Sequence, residues 1–151
     1  MQFSQVKGKL GVVKTLFNNI TFLYTSEAGF TLGKVHSRTF DFLLGGYNRN
    51  FVNNFVPFYG YEINALSEQT FLKSEFEFRF GLPKEQYLHI IANYARVDDS
   101  VLNGGELFND TKSGYALGYS INTLIGPISL KYSWSPDTKK NFWYFNFGFW
   151  L

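Results

Sequence analysis

The stretch TFLKSEFEFRFG, residues 70–81, alternates with a period of two. Leu72, Phe76, Phe78 and Phe80 share one parity, and Lys73, Glu75, Glu77 and Arg79 share the other. A helix would spread both sets around its circumference, whereas successive side chains of a strand point to opposite faces. The segment is therefore a β-strand with one apolar and one charged face. Gly81-Leu82-Pro83-Lys84 supplies turn chemistry directly after it.

The same alternation continues on both sides. Residues 86–97 set Leu88, Ile90, Ala92 and Tyr94 against His89, Asn93 and Ala95. Residues 114–123 set Tyr115, Leu117, Tyr119 and Ile121 against Ala116, Gly118, Ser120 and Asn122. Residues 128–135 set Ile128, Leu130, Tyr132 and Trp134 against Ser129, Lys131, Ser133 and Ser135. Residues 141–151 align Trp143, Phe145, Phe147, Phe149 and Leu151. Upstream, residues 3–13 and 18–26 read as two weaker strands. The apolar parity is mostly large aliphatic and aromatic residues; the other is small or polar. Tyr87, Trp134, Trp143 and Trp150 fence the apolar rows near their ends, as interfacial aromatics would.

Composition narrows the setting. Aromatic residues make up 21% of the chain and charged residues only 17%, against an ordinary charged share of about 25%. Yet mean hydropathy is slightly negative, and no run approaches the roughly 18 apolar residues of a membrane helix. Apolar surface this abundant and this dispersed belongs to strands. A bilayer admits only helices and closed barrels, because every backbone polar group must be satisfied internally. The expected fold is thus all-β, an antiparallel transmembrane β-barrel. A soluble ligand-binding β-barrel is the alternative, but it requires polar outer faces.

Connection lengths agree with a membrane barrel. Residues 14–17, 82–85 and 123–127 are short, and they alternate along the chain with the long connections 27–65 and 98–113 and with the polar hairpin loop 136–140. Bacterial outer-membrane barrels pair short periplasmic turns with longer external loops. Seven strands are an odd set, where single-chain bacterial barrels use even numbers. The chain is therefore expected to be part of one larger barrel domain, completed by further strands of the same barrel or by partner chains.

Several function classes find no support. The net charge is +2 with no basic run, so nucleic acid is not an expected partner. The chain has no cysteine, and His36 and His89 lack ligand-spaced neighbours, so neither metal nor cofactor is expected. No Gly-x-Ser-x-Gly nucleophile turn occurs, so no catalytic residue is assigned. The first residues do not make a signal peptide, which favours a fragment over a complete exported chain. Lys73, Glu75, Glu77 and Arg79 are expected to form a solvated lumenal ladder, pairing with Lys131 or with a returning loop.

The segment from Phe30 to Tyr61 resembles the sixth external loop of the bacterial surface-antigen superfamily, which includes outer-membrane insertases and two-partner secretion pores. Phe42-Leu43-Leu44-Gly45-Gly46 matches its Gly-Gly step, and Phe58-Tyr59-Gly60-Tyr61 occupies the place of its VRGF or VRGY tetrad. The resemblance implies a loop folded into the lumen, with Gly45, Gly46, Tyr59, Gly60 and Tyr61 as its motif, and five strands after it. Tyr59 stands where the family has arginine, so the lumenal arginine salt bridge is not carried over.

The order of Gly114-Tyr115-Ala116-Leu117-Gly118-Tyr119, Ile125-Gly126-Pro127-Ile128 and Lys131-Tyr132-Ser133-Trp134-Ser135-Pro136 resembles the C-terminal barrel of Bacteroidetes-type patatin-like phospholipases. That likeness implies a wall of about sixteen strands anchoring a lipid hydrolase whose catalytic domain is not in this chain. Phe147, Gly148, Phe149, Trp150 and Leu151 resemble the closing signal read by barrel-assembly machinery. An insertase or translocation barrel is the second reading. The implied location is the bacterial outer membrane, with its lipid and that machinery as partners.

Overall fold

A computed structural model describes residues 3–33, 40–47, 54–97 and 110–148. The described residues hold ten strands: β1 (Phe3–Phe17), β2 (Ile20–Gly33), β3 (Phe42–Leu44), β4 (Phe55–Val56), β5 (Leu66–Glu68), β6 (Thr70–Leu82), β7 (Gln86–Val97), β8 (Lys112–Thr123), β9 (Gly126–Ser135) and β10 (Lys140–Phe147). Seven form one sheet in the order β1-β2-β6-β7-β8-β9-β10, every pair antiparallel. The other three form a small sheet, β4-β3-β5, built within the long connection between β2 and β6.

Register sorts the large sheet into two faces. Phe22 pairs with Phe78, Phe78 with Ile90, Ile90 with Leu117, Leu117 with Tyr132, and Tyr132 with Trp143. This outward face keeps its large apolar side chains exposed, Leu117 and Phe145 among them. A soluble barrel would bury them. A lipid-facing wall would not. The soluble alternative therefore fails on burial. The opposite row at the same height runs Thr21, Arg79, His89, Gly118, Lys131 and Tyr144, polar or small except at its last member.

The first two strands are longer than sequence periodicity indicates: 3–17 and 20–33 rather than 3–13 and 18–26. The loop is expected to begin at Glu27, but the structure pairs Glu27 with Lys9 across the ladder. It places the Glu27 carboxylate 2.9 Å from Lys7 Nζ on the inner face. Partnered charges let the strand run on. The long connection consequently begins after Gly33, and Phe30 lies on the outward parity of β2, not within the loop. Tyr87 also departs from expectation, sharing the inner parity of His89 instead of joining an outward girdle. The last strand is described to Phe147; Phe149, Trp150 and Leu151 lie outside the described residues, as does His36.

The small sheet packs on the inner face of the large one. Phe42, Leu44, Val56, Phe58 and Tyr61 from the loop form one buried cluster with Phe71 of β6 and Ala95 of β7. Phe42 and Phe71 meet edge to face at 4.9 Å between ring centroids. Gly29 makes room for both rings: a Cβ there would stand 2.5 Å from Phe71 and 2.8 Å from Phe42. The buried core thus lies between the wall and the returned loop.

Candidate functional site: the loop latch

The two halves of the loop motif, far apart in sequence, meet in space. Gly46 bridges Phe58, its N–H donates to the Tyr61 carbonyl at 2.9 Å, and its own carbonyl accepts from the Phe58 N–H at 3.0 Å. Gly45 and Gly46 have φ of 137° and 66°, which L side chains seldom adopt. A Cβ on Gly45 would also fall 1.9 Å from the Glu62 carbonyl oxygen. The Gly-Gly step is what allows the tetrad to fold against it.

The tetrad is then tied to the wall through its backbone. The Tyr59 N–H donates to Asn93 Oδ1 at 2.7 Å. Asn93 Nδ2 donates to the carbonyls of Tyr59 (3.4 Å) and Gly114 (3.1 Å). The Gly60 N–H donates to Ser133 Oγ at 3.3 Å, and the Gly60 carbonyl accepts from Thr138 Oγ1 at 3.1 Å. Asn93 and Ser133 are fully buried. Strands β7 and β9 and the β9–β10 hairpin all hold one dipeptide.

Side chains extend the latch. Lys131 Nζ donates to Tyr59 Oη at 2.8 Å and Tyr47 Oη at 3.2 Å, and lies 4.4 Å from the Tyr47 ring centroid. The Tyr47 and Tyr59 rings stack at 5.4 Å. Where the family's loop carries the cation, here the wall carries it and the loop supplies aromatic faces and hydroxyls. Lys131→Met keeps the side-chain length and removes both hydrogen bonds and the cation–π contact. It is expected to weaken the latch by roughly 2–3 kcal/mol, read as faster amide hydrogen exchange at Tyr47 and Tyr59.

The charged ladder shares one parity and is solvated unevenly, from buried Lys73 to Arg79 with 39% of its side chain exposed. Lys73 is buried; its Nζ donates to the Pro57 carbonyl at 2.6 Å and pairs with Glu75 at 2.8 Å. Glu77 Oε1 lies 3.1 Å from Arg79 Nη2 and 2.7 Å from His89 Nδ1, and His89 Nε2 lies 2.7 Å from Ser120 Oγ. Of the two expected partners, the returning loop takes Lys73 through the Pro57 carbonyl. Glu75 and Arg79 pair along β6, and Glu77 also reaches His89 on β7. The returning loop lays Pro57 and the aromatic residues after it over this face. Period-two reading finds the face, but not what covers it.

At the outer end, Tyr61 Oη donates to Asp137 Oδ2 at 2.8 Å, as do the Ser113 N–H at 2.7 Å and the Ser113 hydroxyl at 3.2 Å. Burial alone would raise the Asp137 carboxyl, but donation from Ser113 and Tyr61, with Lys112 nearby, holds it below its ordinary 3.8. Burial and the Asp137 hydrogen bond push the Tyr61 phenol well up, so it remains a donor at neutral pH. The folded Asp137 value is depressed, so its contribution is complete above the ordinary aspartate value and fades as pH falls through the lowered one. Hydrogen-exchange protection of the Ser113 amide, corrected for intrinsic exchange, is expected to hold from neutral pH down to about 5 and decline below about 4. Asp137→Asn should abolish that dependence.

Asn93, Gly114, Ser133 and Asp137 carry the latch but carry no sequence signal beyond inner-face parity or a turn. Of the closing segment, Phe147 is outward and exposed, and Gly148 (φ 101°) donates its N–H to the Pro127 carbonyl at 3.0 Å. A family model described as the OMP85 superfamily matches residues 1–151. The chain belongs to the OMP85 superfamily. Its proteins are bacterial outer-membrane proteins assembled by the barrel-assembly machinery, and their barrel domains are not enzymes. The outward apolar face is accordingly lipid-facing, and the latch lies on the inner side of an OMP85-type barrel portion. No curated protein matches the chain.

Proposed function

We propose that this chain is the C-terminal, loop-bearing part of an OMP85-superfamily barrel that anchors a patatin-like lipid hydrolase in the outer membrane. The observation that carries this reading is the Tyr59–Gly60 backbone bound by buried Asn93 and Ser133. A loop fastened through its main chain on the inner face suits a fixed, occluded wall better than a conduit that must clear its lumen. The order of the glycine-aromatic motifs along β8, β9 and β10 supports the patatin association. Phe147 to Leu151 then serves as the closing signal for the assembly machinery, and about sixteen strands complete the wall.

An insertase or translocation pore is the second reading, favoured by β1 and β10 each pairing with one neighbour among the described residues. Those two edges would meet the remaining strands or form a seam. Mass spectrometry of the intact polypeptide from its native outer membrane separates the readings. Peptides from a Gly-x-Ser-x-Gly hydrolase joined to this barrel are the expected result. Tandem periplasmic transport repeats in its place would overturn the anchor.

A further inference from the structure

The two ends of the lipid-facing wall are built differently. At the end with long connections, Tyr94, Tyr115, Trp134, Tyr132 and Trp143 form an unbroken row across four strands, with successive ring centroids 4.8–6.1 Å apart. Such rings sit at a membrane–water boundary. At the short-turn end no such row occurs among the described residues. The turns themselves are apolar there: Phe17 is 68% exposed, Ile125 71%, and Leu124 fully exposed, with Leu82 exposed beside Pro83. A water-exposed hairpin tip has no reason to carry Leu-Ile in place of Asn-Gly or Asp-Gly.

Height decides what meets those tips. Ten residues separate Leu124 from Trp134. The strand part, Gly126 to Trp134 of β9, spans about 20 Å along the membrane normal at roughly 3.3 Å per residue and a tilt of about 40°. The turn beyond it brings the total close to the roughly 25 Å height of a barrel's apolar band. With the aromatic row at one boundary, the other falls at the turn tips and not within the strands. Phe17 and Leu82 continue the outward parity, through Phe17 opposite Ile20 and Leu82 opposite Gln86. The apolar tips are therefore an extension of the lipid-facing wall. Exposed Lys14, on the outward parity opposite Phe22, and exposed Lys84 stand among them, where long cationic side chains reach lipid phosphates.

From this we infer that the short turns of this barrel form a phospholipid-docking rim: Phe17, Leu82, Leu124 and Ile125 insert into the periplasmic leaflet, and Lys14 and Lys84 engage its phosphates. The proposal rests on the outer-membrane location and not on the hydrolase-anchor reading. Residues 1–151 hold no cysteine, and any cysteine elsewhere in the full-length protein is replaced by serine for the test. Leu124→Cys and, separately, Ile125→Cys are introduced into the full-length protein and labelled with an environment-sensitive fluorophore. The labelled proteins are reconstituted in phosphatidylethanolamine–phosphatidylglycerol vesicles with and without brominated acyl chains.

Leu117→Cys marks the mid-wall and Pro136→Cys the opposite hairpin. The expected result is loss of emission in brominated lipid at both tip positions, approaching that of Leu117→Cys, while Pro136→Cys is unaffected. Water-like, unquenched emission at both tips would overturn the inference. Apolar emission without quenching would also overturn it, by showing that protein and not lipid covers the rim.

Discussion

Asn93→Leu releases the loop from the wall in the expected result. The substitution keeps similar bulk but removes the acceptor of the Tyr59 N–H and the donor to the Tyr59 and Gly114 carbonyls. All of this happens at a fully buried position, so water does not take the side chain's place without the loop moving. Leaving a buried backbone donor and acceptor unsatisfied costs about 1–3 kcal/mol each. A combined loss near 3 kcal/mol corresponds to roughly a hundredfold rise in the open population. Hydrogen exchange measured by mass spectrometry should show that rise at Leu43–Leu44 and Tyr59–Tyr61. Wall amides in β6 and β7 should keep their protection, because their ladder is untouched.

Gly114→Ala tests the same contact from the other side, by volume alone. A Cβ at Gly114 would stand 1.8 Å from the Tyr59 carbonyl oxygen and 2.5 Å from Asn93 Nδ2. Gly114 sits in an ordinary strand, so alanine there would normally help, by roughly 0.5–1 kcal/mol. Close approach reverses the sign. The backbone oxygen has no rotamer to adopt, so the loop shifts by an ångström or more and loses its hydrogen bonds to Asn93. The expected outcome is loop exchange as fast as in Asn93→Leu, with the thermal unfolding of the wall unchanged. Asn93→Leu and Gly114→Ala combined should be no worse than either alone, since both break one contact.

The wall was legible in the sequence and the latch was not, for a physical reason. Strand parity is a local property, and the rows Leu72–Phe80 and Trp143–Phe147 declare it without help from the fold. Even there, Glu27 misleads, because its partner Lys7 lies on another strand and the pair hides a loop-like polarity inside β2. The latch depends on contacts between residues tens of positions apart, such as Asn93 with Tyr59 and Gly60 with Ser133. Asn93 and Ser133 look like any polar residue facing a lumen. Gly114 looks like any small one. The resemblance to the superfamily loop located Gly45, Gly46 and the tetrad. It did not show that Lys131 supplies the cation missing at Tyr59, because that exchange moves the charge from loop to wall. The charged ladder was found by alternation and the returning loop was expected beside it, but the burial of Lys73 under Pro57 was not.

The central claim is that the loop lies on the inner face and covers it. Ala116, on that face and only 1% exposed, packs with Tyr59 and Ile91 beneath the loop. Ser129 shares the face nearer the short turns and is partly exposed. Ala116→Cys and Ser129→Cys, each introduced singly into the full-length protein with any cysteine outside residues 1–151 replaced by serine, can be challenged in native outer membranes with a small water-soluble thiol reagent. The account predicts that Cys at 129 is modified while Cys at 116 resists, and that adding Gly114→Ala makes 116 reactive. Equal, rapid modification of both positions without that addition would mean the loop lies elsewhere.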